Sequence, residues 1–168
     1  MRILLVTTAY PPPPGGIQTM TRNIEKSLQV EGHNVRLLHL NPDDYRAIRN
    51  NNLVDYVPRK TTMNGVYSVF SGEYVYSNGV VRRSKKEIQN FEPDIVHCMH
   101  IRTWPALVAA KKSATPSVVT AHSLELQNEC LAATAFRDAN IVHCNSTFTE
   151  GLVHEISERF GISSVCTT

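Results

Sequence analysis

The apolar residues of this chain fall in short unbroken runs, separated by longer stretches that repeat with helical spacing. The runs are Ile3 to Val6, Val35 to Leu40, Asp94 to Cys98, Ser117 to Thr120 and Ile141 to Cys144. Continuous rather than alternating apolarity is what strands covered on both faces require. Between them, Ile17, Met20, Ile24 and Leu28 share one helical face, and Gly32 supplies a left-handed stop after it. Ala106 to Lys112 suits a helix packed closely on a sheet. Phe148, Leu152, Ile156 and Phe160 recur at i+4, with Ser146 or Thr147 as N-cap and Glu150 placed for a capping box. Strands alternating with helices predict an α/β fold, a parallel sheet with helices on both faces in one domain.

Two stretches break the alternation. Asn52 to Gly79 is rich in Tyr, Val, Gly and Asn, and reads as an excursion at the sheet edge, with short strands at 66–70 and 73–76 joined by a Ser71-Gly72 turn. After Gly161, the residues Ile162 to Thr168 read as a strand just beginning, so the domain is expected to continue past Thr168. The tetrapeptide Ile-Val-His-Cys occurs twice, at 95–98 and 141–144, each time behind an Asp or Asn. These are two similar strands rather than a repeat architecture.

Composition narrows the class. With 42% hydrophobic, 19% charged and 7% aromatic residues, the 168-residue chain has the profile of one globular domain. A formal charge of +2 does not mark a nucleic-acid binder. The one dense basic run, Arg82 to Lys86, opens a predicted helix and reads as a solvated face, with contact to anionic lipid headgroups as the alternative. Cysteines at 98, 130, 144 and 166 form no C-x-x-C pair, which fits a reducing compartment. No apolar run approaches the ~20 residues that span a bilayer. The expected location is cytoplasmic, at most peripheral to the membrane.

Candidate chemistry gathers at strand ends. The first strand runs into Tyr10, Pro11 to Pro14, Gly15, Gly16, Ile17 and Gln18. Four prolines stiffen that loop, and the two glycines let a ligand approach the backbone where a helix begins. A helix N-terminus favours an anion, so the loop reads as a phosphate or diphosphate cradle. It lacks the G-x-G-x-x-G spacing of dinucleotide sites and the Gly-Lys-Ser/Thr of a Walker loop. His97, His100, His122 and His143 fall at or near the ends of the later strands, where ligands of open parallel sheets bind. A metal reading with Cys98 and Cys144 fails because neighbouring strand residues face opposite ways. The imidazoles instead suit hydrogen bonds to sugar hydroxyls or to a developing charge. Glu125 and Glu129, at i and i+4, read as a solvated helix face. No nucleophile elbow or close carboxylate pair appears, so the chain carries no self-contained active site.

Four segments in order resemble glycosyltransferase family 4, specifically its N-terminal Rossmann-like domain, one half of the GT-B fold. They are the opening from Met1 to Leu40 with its Pro-Gly-Gly-Ile-Gln turn, Glu92 to His100, Ser117 to Ser123, and Ala139 to Ser146. The resemblance implies transfer of a sugar from a nucleotide-sugar donor to a carbohydrate or lipid-linked acceptor, with retention and without a metal or other cofactor. It implies that Gly15 and Gly16 face a diphosphate or phosphate, and that His122, as the catalytic residue, contacts the transferred sugar. Acceptor contacts fall to Tyr10, Gln18, His97, His100, Ser123, Asn145 and Ser146. A donor-binding C-terminal domain, in cis or as a separate subunit, is then the missing partner, and the chain alone is expected to be inactive. The competing reading is a non-catalytic module that holds a phosphorylated ligand or partner.

Overall fold

The computed structural model describes residues 1–10, 15–40, 80–163 and 165–168. The prolines at 11–14 and the expected hairpin at 66–76 lie outside the described residues. In chain order the elements are β1 (Arg2–Thr7), α1 (Gly16–Val30), β2 (Asn34–His39), then α2, helical from 80 to 91. They continue with β3 (Ile95–Cys98), α3 (Trp104–Lys112), β4 (Ser117–Ala121), α4 (Glu129–Asp138), β5 (Ile141–Cys144), α5 (Thr147–Phe160) and β6 (Val165–Thr167). The sheet order is β2-β1-β3-β4-β5-β6 and every pairing is parallel.

Each strand predicted within the described residues is present, and the alternation of buried side chains divides them between two cores. Leu4, Val6, Val96, Cys98, Val119, Ala121, Val142 and Cys144 point into the larger one, with Phe91, Leu107, Phe136 and Val153 from the helices α2 to α5. Ile3, Leu5 and Met99 point the other way and meet Met20, Ile24 and Leu28 on the predicted face of α1. Burial of both faces explains the unbroken apolar runs.

Hydrogen bonds account for the Asp and Asn before the two Ile-Val-His-Cys strands. The Asp94 carboxylate accepts the Arg2 N–H at 2.7 Å, and the Asn140 side-chain carbonyl accepts the Ser117 N–H at 2.9 Å. Each caps the first amide of the neighbouring strand, Arg2 of β1 and Ser117 of β4.

Helix ends follow the sequence signals. Gly32 (φ 83°) and Gly161 (φ 61°) take the left-handed conformation, and the residues after them return amides to the last turn: His33 N to Leu28 O and Ile162 N to Ser157 O. At the start of α5, Ser146 is the cap and accepts the Thr149 N–H at 3.2 Å. Thr149 thus holds the third helical position, and Glu150 comes one residue too late to close the expected capping box. Phe148 departs from the predicted apolar stripe and is 69% exposed, while Thr149, Val153, Ile156 and Ser157 form the buried face. Ser146→Ala is expected to lower unfolding stability by about 1 kcal/mol. Phe148→Ala should change it by less than about 0.5 kcal/mol. Chemical denaturation of both variants checks the contrast.

Candidate functional site

In the order 2-1-3-4-5-6 the chain reverses direction across the sheet between β1 and β3, so a crevice opens at the carboxyl ends of these strands. Thr8, just past β1, and His100, just past β3, meet across it. The Thr8 N–H donates to His100 Nε2 at 3.1 Å, and Thr8 Oγ1 lies 2.9 Å from the same nitrogen. Because Nε2 accepts from a backbone amide, the ring proton belongs on Nδ1. That atom faces Glu125 Oε1 at 3.4 Å, while Glu125 Oε2 accepts the Ile101 N–H at 3.3 Å. His100 is 1% exposed, and its Nδ1 has no hydrogen-bond partner of good geometry.

Glu125 overturns an expectation. It lies not on a solvated helix shared with Glu129 but in the tight turn Ser123–Gln127, with its side chain 13% exposed against His100. Glu129 opens α4 and pairs with Arg159 of α5 at the surface. Ile101 and Glu125 stand 24 positions apart, which explains why spacing along the chain gave no hint of this contact.

His122 follows β4. Its Nε2–H donates to the Met99 carbonyl at 3.0 Å, which leaves Nδ1 as the acceptor for the Asn145 amide at 3.3 Å. Asn145 Oδ1 takes the Thr149 hydroxyl at 2.7 Å, and that hydroxyl oxygen is 2.9 Å from Ser146 Oγ. His122, Asn145 and Ser146 are thus joined in one chain of hydrogen bonds along the carboxyl edge, with Ser123 following His122 into the turn. Thr8, Thr149 and the Met99 carbonyl belong to the same edge and carried no signal of their own in the sequence.

His97 occupies a different place. It lies within β3, pairs in register with Leu5 and Val118, and its Nε2 is 2.8 Å from Thr120 Oγ1. Burial, together with the neighbouring His143, lowers its pKa to about 4. Cys98 points to the opposite core, where its thiol donates to the Thr103 carbonyl and burial pushes it up to about 12. Adjacent residues facing opposite ways confirm that these two cannot share one ion.

At the first loop, Gly15 precedes α1 in extended geometry and no side chain caps the helix. Among the described residues a Cβ on Gly16 would meet nothing within 4 Å, whereas one on Gly15 would strike the amide of Gln18, which folds over it. The Tyr10 hydroxyl donates to Glu25 of α1, and its ring lies 6.3 Å from that of His39.

A Rossmann-like α/β sheet with its polar side chains along the carboxyl edge is the architecture of GT-B proteins, and the comparisons agree. The sequence profile of Glycosyltransferase Family 4 matches residues 14–164, and the chain belongs to that family. No curated protein matches the sequence significantly. Among solved structures, S. aureus MnaA bound to UDP is similar with a TM-score of 0.58 and 10% identity, covering 92% of this chain and 40% of that one. UDP-GlcNAc 2-epimerase from Methanocaldococcus jannaschii is similar at 0.56 and 14%, covering 97% and 44%. MurG from Acinetobacter baumannii is similar at 0.51 and 18%, covering 86% and 41%. The chain therefore spans less than half the length of these structures.

His97 gives a prediction with a definite sign. Its folded pKa of about 4 lies below the unfolded value of about 6.5, so the unfolded chain binds the extra proton between those limits. Stability is then fully present above pH 6.5 and declines as pH falls toward 4, by on the order of 2–3 kcal/mol from this residue. Melting temperatures across that range should fall less steeply in His97→Gln than in the parent chain.

Proposed function

We propose that this chain is the acceptor-side module of a retaining glycosyltransferase, which moves a sugar from a nucleotide-sugar donor to a saccharide or lipid-linked acceptor. Family membership supports transfer over the epimerase chemistry named for one of its structural neighbours. The observation that carries the site is the start of α1 at the carboxyl end of β1, without a side-chain cap and with none of the described residues above Gly16. A diphosphate there would meet backbone N–H groups and the positive end of the helix. As the glycosidic bond breaks, charge builds on the leaving diphosphate, and fixed donors aimed at it lower the barrier without a metal.

His122 is the proposed contact to the transferred sugar. Its Nδ1 bond to Asn145 is the longer of its two, so a sugar hydroxyl would compete for that nitrogen while the Met99 carbonyl keeps the ring oriented. Ser123, Asn145 and Ser146 would line the acceptor side, with Gln18 and Tyr10 across the first loop. His97 and His100 act from behind this edge, through Thr120 and Thr8. Leu124 and Phe148, 80% and 69% exposed in the segments after β4 and β5, favour an acceptor with an apolar part. Exposed Arg82, Lys85 and Lys86 on α2 fit peripheral contact with anionic lipid. No helix among the described residues is long and apolar enough to cross a membrane. A donor-binding module, in cis or as a second subunit, completes the enzyme in this proposal, which rests on the coverage of the longer structures.

A second reading, a non-catalytic module holding a phosphorylated ligand, draws on the internal engagement of both His122 nitrogens. Two measurements test the proposal. Incubated alone with a panel of nucleotide sugars and acceptors, the chain should show no turnover; robust transfer would overturn the claim that it is incomplete. Titration with inorganic pyrophosphate should shift the amide NMR signals of Gly15, Gly16 and Ile17. Gly16→Ala should raise stability by about 0.4–1 kcal/mol yet weaken that binding about tenfold. Unmoved amides at millimolar pyrophosphate would remove the anion site, and with it both readings.

A further inference from the structure

Beyond the β1–β3 crevice, β5, α5 and β6 bring together a second set of reactive groups. Glu150 and His154 stand one turn apart on α5, with Oε1 and Nε2 separated by 4.0 Å. Cys166 of β6 joins them, and the three donor atoms all lie within 4.8 Å of one another. Cys144, at the end of β5, places its Sγ 3.0 Å from that of Cys166. Neither thiol is in a disulfide. One imidazole, one carboxylate and one thiol therefore converge from α5 and β6, and a second thiol, Cys144 of β5, sits against Cys166.

We propose that Glu150, His154 and Cys166, with Cys144 completing the set, bind one thiophilic divalent cation of the Zn²⁺ type. Thiolate and imidazole donors select against Mg²⁺ and Ca²⁺, which take oxygen shells. A tetrahedral ion with bonds of about 2.3 Å to sulfur and about 2.0–2.1 Å to nitrogen or oxygen spaces its ligands roughly 3.3–3.8 Å apart. The separation of 4.0 Å between Glu150 and His154 needs to close slightly, and that of 3.0 Å between the sulfurs needs to open. Cys144 Sγ lies outside the set of donor atoms that fall within 4.8 Å of one another, so it too has to turn toward the ion. The His154 side chain is 61% exposed and that of Glu150 is 30% exposed, which leaves the ion a route in from solvent.

Binding is a proton exchange without electron transfer. Each thiol forms a metal–sulfur bond as its S–H bond breaks, and the proton passes to buffer. His154 donates the Nε2 lone pair with its remaining proton on Nδ1, and Glu150 binds as carboxylate. The cation's charge favours the thiolate form. The site would be structural. It would pin the three-residue β6 and the first turns of α5 to β5, and so hold the Asn145–Ser146 junction beside His122. It does not depend on the transferase reading, and it leaves the metal-free transfer step as proposed.

The test is titration of the chelator-treated, fully reduced chain with ZnCl₂ by calorimetry in two buffers of different ionisation enthalpy. The expected result is one ion per chain with proton release, and a rise in melting temperature of roughly 5–10 °C at a hundredfold excess over Kd. Cys166→Ser and His154→Ala should each weaken binding about tenfold or more, while Cys130→Ser, which removes an exposed thiol outside the cluster, should not. Co²⁺ in place of Zn²⁺ should give a near-ultraviolet thiolate-to-cobalt charge-transfer band, a readout that needs no variant. Absence of that band, or Zn²⁺ binding indifferent to both Cys166→Ser and His154→Ala, would overturn the proposal. So would a reduced chain that takes up no Zn²⁺ and forms a Cys144–Cys166 disulfide in air.

Discussion

A parallel strand ends with backbone donors and acceptors that its neighbours no longer pair, and they must be satisfied by something else. Here side chains do much of that work at the carboxyl edge. His100 accepts the Thr8 amide, His122 donates a hydrogen bond to the Met99 carbonyl, and Ser146 caps the Thr149 amide in the first turn of α5. The groups that would meet a ligand are therefore also those that finish the sheet. Their tautomers and orientations are set before any ligand arrives, which is the condition for electrostatic preorganisation.

That double duty explains what could be read in the sequence. The strands were legible because burial on both sides leaves an unbroken apolar run, and the helix ends because glycine and serine have local reasons to stand there. Histidines at strand ends were legible for the same reason, since polar residues at the end of an apolar run are conspicuous. Which of them act at the edge was not. His97 and His100 are three residues apart, yet the first is held on a strand face by Thr120 and the second spans the crevice to Thr8.

The misreadings were of two physical kinds. Glu125 was hidden because its partner comes from another strand, a relation no local periodicity can carry. Phe148 was misplaced by phase. Successive steps of four residues overshoot a helical turn by about 40° each, so four such positions spread around the cylinder. Packing chose the intervening Thr149 and Val153, and turned Phe148 to solvent. Comparison with solved structures adds the fold, and the family profile adds kinship, while the chemistry at the edge still has to be argued from its own atoms.

The Gln18 side chain, folded over Gly15, adds a point about occupancy. A neutral amide rests against the backbone where the proposed anion would come closest, so a cradle there would carry its own placeholder. An oxyanion bound as proposed would have to swing that amide aside, and the displaced amide would then be free to turn toward whatever lies next to the ligand. Vacancy and occupancy would then differ by one rotation of one side chain, with α1 and the sheet left where they are.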